Sequence, residues 1–219
     1  MNEIELRRQL IAHCLEMHRS GLSEGTTGNL SARVAGGMLI TPSGVPYGAL
    51  QPEDLVLVQP DGNCSHRLPP SSEWRFHRDI YRERPEIHAV VHAHPIHCTT
   101  LAIRHLPIPA VHYMIAVSGG SEIRCAPYAT YGTPELSLLA LEALRDRTAC
   151  LLANHGMIAI GPDLPKAMWI AVEVETLARQ YLLSLQIGGP VLLPDEEIQR
   201  VIEKFKSYGL RSRDGTGNS

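Results

Sequence analysis

The sequence predicts a single α/β domain in which a central mixed, mostly antiparallel β-sheet is covered by helices. Three observations lead to this fold class. The chain has 219 residues, a length that suits one domain. Segments with strand and helix patterns are interleaved, and many neighbouring strands are separated only by tight turns. Hydrophobic residues make up 44% of the chain, which is enough for a sizeable core.

Helices are predicted where apolar residues recur every three or four positions between start and stop signals. The first segment ends before Gly21, and Ser72 is the expected N-cap of the second. Pro95 and Pro134 fit the first turns of the third and fourth. The predicted helices cover residues 3–19, 73–84, 96–104, 134–144, 164–186 and 195–208.

Short apolar runs bounded by glycine, proline or asparagine predict the strands. They cover residues 30–34, 38–40, 55–58, 89–94, 150–153 and 157–160. We assign residues 1–210 to one domain and expect the polar, glycine-rich tail 211–219 to be disordered.

Composition excludes several classes of partner. The formal net charge is −3, so we expect no nucleic-acid partner, although backbone amides can still bind a phosphorylated substrate. The N-terminus lacks an apolar signal region, and no apolar stretch is long enough to span a bilayer, so no membrane partner is expected. The chain has an odd number of cysteines, five, and no CxxC pair. This pattern argues against a disulfide framework and favours a reducing compartment. We therefore expect a cytoplasmic protein.

Two histidines spaced as HxH give the strongest chemical signal. His92 and His94 end a predicted strand, so both side chains leave the same face with Cα atoms about 6–7 Å apart. Two such imidazoles can share one cation, and zinc suits neutral imidazole ligands. His155, just before Gly156, is the candidate third ligand. His88 would share the face of the first two and could replace one of them, although we expect it at the surface. HxH pairs also arise by chance, so these residues alone leave the metal site open.

The other histidines are expected to lie outside the metal site. His97 follows Pro95 and is expected to point elsewhere. The rest are expected to be exposed or satisfied structural residues: His13, His18, His66, His77, His105 and His112.

Glu73 is the candidate acid/base. It follows two hydroxyl residues at a predicted helix start, where the helix dipole alone would favour a carboxylate. Beside a dication the same carboxylate could bind metal and exchange protons. That task calls for a raised pKa, which a partly dry pocket could supply.

Small-residue loops and tyrosines complete the set of candidates. Three loops offer backbone N–H groups and short polar side chains to a phosphate, although each could be a simple turn. A phenol could assist a developing alkoxide, although such tyrosines more often serve packing. The loops are Gly28–Asn29, Ser43–Gly44 and Ser71–Ser72, and the tyrosines are Tyr113, Tyr131 and Tyr208.

Together these motifs resemble the class II aldolase/adducin family. The resemblance runs from the first helix to about Gly209 and is greatest to bacterial members that cleave L-fuculose 1-phosphate. It is carried by the ordered blocks Gly28-Asn29-Leu30-Ser31, Thr41-Pro42-Ser43-Gly44, Ser71-Ser72-Glu73-Trp74, His92-Ala93-His94 and Asn154-His155-Gly156, and by the longer stretches at 68–77 and 125–133.

The resemblance implies a role for each candidate. The three histidines His92, His94 and His155 would hold one Zn²⁺ per subunit, with Glu73 as acid/base and fourth ligand. The three small-residue loops would bind the substrate phosphate. The tyrosines divide between catalysis and specificity: Tyr113 would act in a neighbouring subunit's site, and Tyr131 and Tyr208 would shape the aldehyde pocket. The assembly implied is a homotetramer with sites at subunit interfaces.

The activity implied is retro-aldol cleavage of a ketose 1-phosphate to dihydroxyacetone phosphate and a small aldehyde. The substrate would be L-fuculose 1-phosphate or a 5-deoxy or 5-methylthio pentulose 1-phosphate. Tyr131 stands where the fuculose-phosphate enzymes have phenylalanine, which leaves the aldehyde open. The alternatives are a pentulose-phosphate 4-epimerase on the same scaffold and a non-catalytic adducin-like module.

Overall fold

The computed structural model describes residues 2–25 and 27–207, with the backbone alone at residue 207. Its helices are α1 (Glu3–Arg19), α2 (Trp74–Glu83), α3 (Ile96–Ile103), α4 (Pro134–Ala143), α5 (Leu164–Gln186) and α6 (Asp195–Ser207). Its strands are β1 (Asn29–Val34), β2 (Gly37–Ile40), β3 (Val56–Val58), β4 (Ala89–Ala93), β5 (Cys125–Ala126), β6 (Ala149–Leu152) and β7 (Gly156–Gly161). Short 3₁₀ helices cover Tyr47–Ala49, Pro52–Asp54 and Tyr113–Ser118.

The seven strands form one sheet in the order β3-β2-β1-β4-β7-β6-β5. Every neighbouring pair is antiparallel except β5 and β6, which are parallel. Helices α2 and α4 pack on one face, and α1, α3 and α5 pack on the other. The predicted fold class, a single α/β domain with a mixed, mostly antiparallel sheet, is therefore confirmed.

The central strand β4 divides the core into two layers. All five of its residues are buried, because helices cover both faces of the sheet. Val91 and its alternate neighbours Ala89 and Ala93 pack in the cluster beneath α1, α3 and α5. Val90 packs in the other cluster, beneath α2 and α4. His92 has the same parity as Val90 and therefore leaves the sheet on the α2 side.

Three of the helices begin after a residue whose side chain caps the first turn. The side chains of Asn2, Thr133 and Asp163 accept hydrogen bonds from backbone N–H groups in the first turns of α1, α4 and α5. The prediction that Ser72 caps α2 is wrong, because Glu73 is the N-cap and makes no side-chain capping bond. The Glu73 carboxylate is directed into the site described below instead.

Two strand predictions also need correction. The predicted strand 89–94 ends at Ala93, so His94 lies just past it. The two-residue strand β5 was not predicted, since two residues are too few for a periodic pattern. Positions 208–219, which include the end of the last predicted helix and the tail, lie outside the described residues. Among the described helices, none combines the length and apolar character needed to cross a membrane.

Candidate metal centre

Four predicted ligands meet at one end of the sheet. His92 lies on β4, His94 just after it, and His155 in the turn between β6 and β7. Glu73 precedes α2, which packs over this end. One potential ligand atom from each of the four lies within 4.8 Å of the others. Pairing of β4 with both β1 and β7 places these distant parts of the sequence together.

The distances between ligand atoms fit a single ion. His92 Nε2 lies 2.9 Å from His94 Nε2 and 3.0 Å from Glu73 Oε2. His155 Nε2 lies 3.2 Å from Glu73 Oε1. In a tetrahedral zinc site with bonds of about 2.0–2.1 Å, ligand atoms stand about 3.3–3.4 Å apart. The four side chains therefore outline a cavity of the size of one divalent cation.

The buried state of Glu73 supplies an independent test of fit. The residue is only 6% exposed, and its Oε1 accepts no hydrogen bond from any described residue, despite its closeness to His155. A buried carboxylate oxygen without a partner is destabilising. The imidazole nitrogens of His92, His94 and His155 converge on the same place, with each ligand atom within 4.8 Å of the others. A divalent cation bound between them would satisfy both the carboxylate oxygen and the nitrogen lone pairs, so the residues fit a metal.

The backbone fixes the imidazole of His92 for this purpose. Its Nδ1 lies 2.9 Å from the carbonyl oxygen of Met157, which can only accept a hydrogen bond. The proton of the neutral ring is therefore on Nδ1, and the lone pair of Nε2 faces the cluster.

The turn that carries His155 depends on two small or permissive residues. Asn154 has a φ of 53°, and its backbone N–H donates to Ala102 O at 3.1 Å. Gly156 lies so close to β4 that a Cβ atom there would stand 2.4 Å from Ala93 O and 2.6 Å from His94 Cδ2. The absence of a side chain at Gly156 therefore lets the two ligand-bearing segments approach each other.

The charges of the cluster favour the ligand forms of its members. Burial raises the pKa of Glu73, but the close approach of the His92 and His155 imidazoles outweighs burial and holds it well below its ordinary value. Burial lowers the pKa of His94 to about 3, and the adjacent His92 and His155 imidazoles act in the same direction. The carboxylate is thus ionised and His94 neutral, as metal binding requires. The pKa of Glu73 moves opposite to the raised value expected from the sequence.

A second layer of polar side chains lies behind Glu73. Asn29 Nδ2 donates to Glu73 Oε2 at 3.1 Å, and His77 Nε2 lies 2.5 Å from Asn29 Oδ1. His77 is fully buried, in agreement with the prediction of a satisfied structural histidine. Its link to the site was not predicted. The signal was present, because Glu73 and His77 are four residues apart at the start of α2 and share one face.

The three candidate phosphate loops lie side by side. Ser43 N donates to Pro69 O at 3.1 Å and Ser71 N to Thr41 O at 3.0 Å, which ties the second loop to the third. Thr41 N also donates to Leu30 O, next to the first loop. The third loop directly precedes α2, and the positive end of a helix favours anions.

The loop backbones remain accessible where a phosphate would approach. Ser43, Gly44 and Ser72 are exposed, whereas Asn29 and Ser71 are buried. Gly28 has a φ of 83° and passes so close to His92 that a Cβ atom would stand 2.7 Å from the carbonyl oxygen of that ligand. The first loop therefore adjoins the metal cluster directly.

The candidate tyrosines are placed differently. Tyr131 is 65% exposed, and its neighbour Gly132 is held against Ser72: Arg75 donates to Gly132 O at 2.7 Å, and a Cβ at Gly132 would stand 2.7 Å from Ser72 O. Tyr113 is 48% exposed, and within the described chain no hydrogen bond or ring contact joins it to the cluster. Tyr208 lies outside the described residues.

The remaining candidate histidines lie outside the cluster. His88 is exposed at the entrance to β4, as expected, and is not one of the four clustered residues. His97 Nδ1 lies 2.6 Å from Glu175 Oε1, on the side of the sheet covered by α5. His88 is therefore not in position to replace a ligand in this structure.

Comparison with known proteins identifies the family. Residues 8–182 match the class II aldolase and adducin N-terminal domain. The L-fuculose phosphate aldolase of Escherichia coli strain K12 is 53% identical over 212 residues, covering 96% of this chain and 99% of that protein. The 5-methylthioribulose-1-phosphate/5-deoxyribulose-1-phosphate aldolase of Rhodospirillum rubrum is 52% identical, covering 95% of this chain and 94% of that protein. A solved L-fuculose 1-phosphate aldolase structure superposes with a TM-score of 0.89 at 42% identity, covering 92% and 96% of the two chains.

The chain belongs to the class II aldolase and adducin family. Its similarity to named aldolases extends over almost its whole length, and the three histidines and Glu73 are all present and clustered. Within the family it is therefore an enzyme, a class II aldolase.

Proposed function

We propose that the chain is a zinc-dependent aldolase that cleaves a ketose 1-phosphate between C3 and C4, releasing dihydroxyacetone phosphate and a small aldehyde. The observation that carries the proposal is the buried cluster of three imidazoles and one carboxylate, next to three loops suited to phosphate. The relatives described above, which are named for ketose 1-phosphate substrates, agree with it.

Zinc suits this donor set best. His92, His94 and His155 offer nitrogen ligands and Glu73 a carboxylate, which is the mixture typical of catalytic zinc. When bound, the ion supplies a Lewis acid that stabilises negative charge on substrate oxygens as the C3–C4 bond breaks. Glu73 would serve both as a ligand of the ion and as the carboxylate that transfers protons to and from the substrate.

Proton transfer by Glu73 follows from its two unequal oxygens. Cleavage removes a proton from the C4 hydroxyl as the aldehyde carbonyl forms, and C3 of the triose fragment gains one, so the overall proton count is unchanged. Oε2 already accepts a hydrogen bond from Asn29, whereas Oε1 accepts none from the described residues. Oε1 is therefore the oxygen that carries the proton returned to C3.

The phosphate would be bound by the loops around the cluster. Gly28, Ser43 and Gly44 offer backbone groups with little side-chain cover, while Asn29, Ser71 and Ser72 add polar side chains. Because Asn29 Oδ1 and one Nδ2 hydrogen are already bonded, this residue has one Nδ2 hydrogen left for the substrate. Binding of the phosphate would fix which carbon–carbon bond lies beside Glu73.

Tyr113 is proposed to act in the site of a neighbouring copy, within a homotetramer. Its phenol is half exposed and makes no hydrogen bond or ring contact with the described residues of the cluster in its own chain, which supports a role across an interface. There its phenol would assist transfer of the proton that leaves the C4 hydroxyl, so that the ionised carboxylate of Glu73 gains the proton that it then returns to C3. Mixing Glu73→Gln with Tyr113→Phe subunits after dissociation tests this arrangement. Activity above that of either variant alone supports it, and sedimentation as a monomer at assay concentration contradicts it.

The aldehyde pocket is assigned to Tyr131 and Tyr208. The close approach of Gly132, next to Tyr131, to Ser72 supports a role for this exposed phenol in the pocket. Two substrates remain in competition, L-fuculose 1-phosphate and a 5-deoxy or 5-methylthio pentulose 1-phosphate. The experiment is a coupled assay for dihydroxyacetone phosphate over these ketose 1-phosphates, with and without chelator. Chelator-sensitive release of triose phosphate is expected, and formation of an epimer with no triose phosphate would indicate pentulose-phosphate 4-epimerisation instead.

We also propose that the enzyme works in the cytoplasm. All five cysteines are free thiols, including Cys125, which is only half-buried, and Cys64, which is exposed. Unpaired, accessible cysteines are typical of a reducing compartment.

A further inference from the structure

A chain of buried hydrogen bonds runs from Glu73 away from the substrate side. Asn29 joins Glu73 to His77, as described above. His77 Nδ1 lies 2.7 Å from Ser31 Oγ, and Ser31 Oγ lies 2.8 Å from Tyr81 OH. All five residues are less than 9% exposed, so no bulk water competes for these bonds. Neither the proposed reaction nor the metal cluster requires His77, Ser31 or Tyr81.

The direction of every bond in the chain is set by the carboxylate at its end. An ionised carboxylate only accepts, so Asn29 must turn its Nδ2 toward Glu73. Its Oδ1 then faces His77 and only accepts, so His77 must carry its proton on Nε2. Nδ1 of His77 is left as an acceptor, and Ser31 Oγ–H donates to it. Tyr81 can then donate its own hydroxyl hydrogen to Ser31 Oγ.

The geometry of the two elements makes the chain rigid. Asn29 and Ser31 alternate on β1 and therefore face the same side of the sheet, while His77 and Tyr81 are one turn apart on α2. Each hydrogen bond thus links a central strand to the helix that carries Glu73 at its N-cap. A ring flip of His77 or rotation of the Asn29 amide would place acceptor against acceptor at one or more points.

We propose that His77, Ser31 and Tyr81 are positioning residues that hold the Asn29 amide in the one orientation that donates to Glu73 Oε2. The proposal rests on the proposed function only for its effect on turnover. In that reaction the chain keeps Oε2 occupied and leaves Oε1 as the oxygen that exchanges protons. Loss of the chain lets the Asn29 amide rotate, which disturbs Glu73 without removing any residue that touches substrate or metal.

The test removes single hydroxyls at increasing distance from Glu73. Ser31→Ala should lower kcat about tenfold, within the range seen for outer-shell partners of metal sites. Tyr81→Phe should lower it less, because Ser31 can still donate to His77. The matched control is Ser137→Ala. It removes a buried hydroxyl that donates to Asp79, a residue of α2, and leaves the hydrogen bonds from Glu73 to Tyr81 intact. KM should stay within about twofold and metal content at one ion per chain in all three, because no ligand or phosphate loop changes.

Two further measurements separate positioning from general loss of structure. Long-range ¹H–¹⁵N correlation spectra of the imidazole rings report the tautomer directly, and His77 should be protonated on Nε2 in the wild type but mixed in Ser31→Ala. His77→Gln, whose amide can donate in place of Nε2–H, should retain more activity than His77→Leu at equal metal content.

The possible outcomes divide clearly. A wild-type His77 protonated on Nδ1 overturns the proposal, whatever the activity. So does an unchanged kcat in Ser31→Ala, or an equal loss in Ser137→Ala. If the wild type cleaves no ketose 1-phosphate, the proposed function fails, while the tautomer measurement still decides the arrangement of the chain.

Discussion

Gly156→Ala tests how closely the two ligand-bearing segments must approach. A Cβ atom at this position would stand 2.4 Å from Ala93 O and 2.6 Å from His94 Cδ2. Real contacts of this kind do not fall below 3.0 Å, so the gap must widen by about 0.6 Å. Metal sites tolerate changes of only about 0.2 Å in ligand distances. The substitution should therefore disturb the metal centre as well as the packing.

The expected magnitudes follow from these distances. Metal affinity should fall about 10–100-fold, as when the support of a ligand is lost. Strain against a backbone oxygen should lower the free energy of unfolding by about 1–3 kcal/mol. The reduced entropy of the unfolded chain, which favours alanine by up to about 1 kcal/mol, offsets only part of this.

The assay compares zinc affinity, by competition with a chromophoric chelator, and thermal unfolding of the metal-free protein. Gly48→Ala is the matched control, because a Cβ there meets nothing within 4 Å and its φ is not positive. The control should bind zinc like the wild type and be as stable or slightly more stable. Wild-type zinc affinity in Gly156→Ala would refute the close approach of β7 to His94.

Three further predictions concern the cluster and its second layer. Glu73→Gln should lower kcat about 10²–10⁴-fold while elemental analysis still finds the ion, and near-normal turnover would remove Glu73 from proton transfer. His94→Ala should lose metal and activity together, whereas His88→Ala, at an exposed position, should keep both. Stoichiometric zinc in His94→Ala would exclude His94 as a ligand. Burial lowers the pKa of His77 to about 3, so between this value and its ordinary pKa of 6.5 the unfolded chain takes up this proton and the folded chain does not. The free energy of unfolding of the chelator-treated protein, measured with denaturant, should therefore fall as the pH is lowered from 6.5 toward 3. His77 should contribute at most about 1.4 kcal/mol per pH unit to this fall. An equally steep fall in His77→Gln would show that His77 is not the group responsible.

The regular elements and the pairing of His92 with His94 could be predicted because their signals are local. Helix α5 was predicted with its observed bounds, since its helical pattern is the longest in the sequence. His92 and His94 could be paired from their two-residue spacing on one strand. His155 could be named from the residues only as a candidate third ligand, because sheet pairing, which the local sequence does not show, brings the β6–β7 turn beside β4.

Hydrogen bonds between side chains that are far apart in the sequence could not be predicted from the sequence. Asn29 was predicted as a phosphate-binding residue from its glycine neighbour, and that role stays a prediction. The structure adds that its amide joins Glu73 to His77, a contact between residues 48 positions apart. The pKa direction of Glu73 was mistaken for the same reason, since burial was expected to dominate and the histidine partners reverse the balance.

Zinc titration of the chelator-stripped enzyme tests the central claim most directly. Release of dihydroxyacetone phosphate from the preferred ketose 1-phosphate is followed after each addition of the ion. The account predicts no activity without metal, a linear rise, and a break at one zinc per chain, with no rise in His155→Ala. Full activity in the stripped enzyme, or a rise in His155→Ala that matches the wild type, would contradict it.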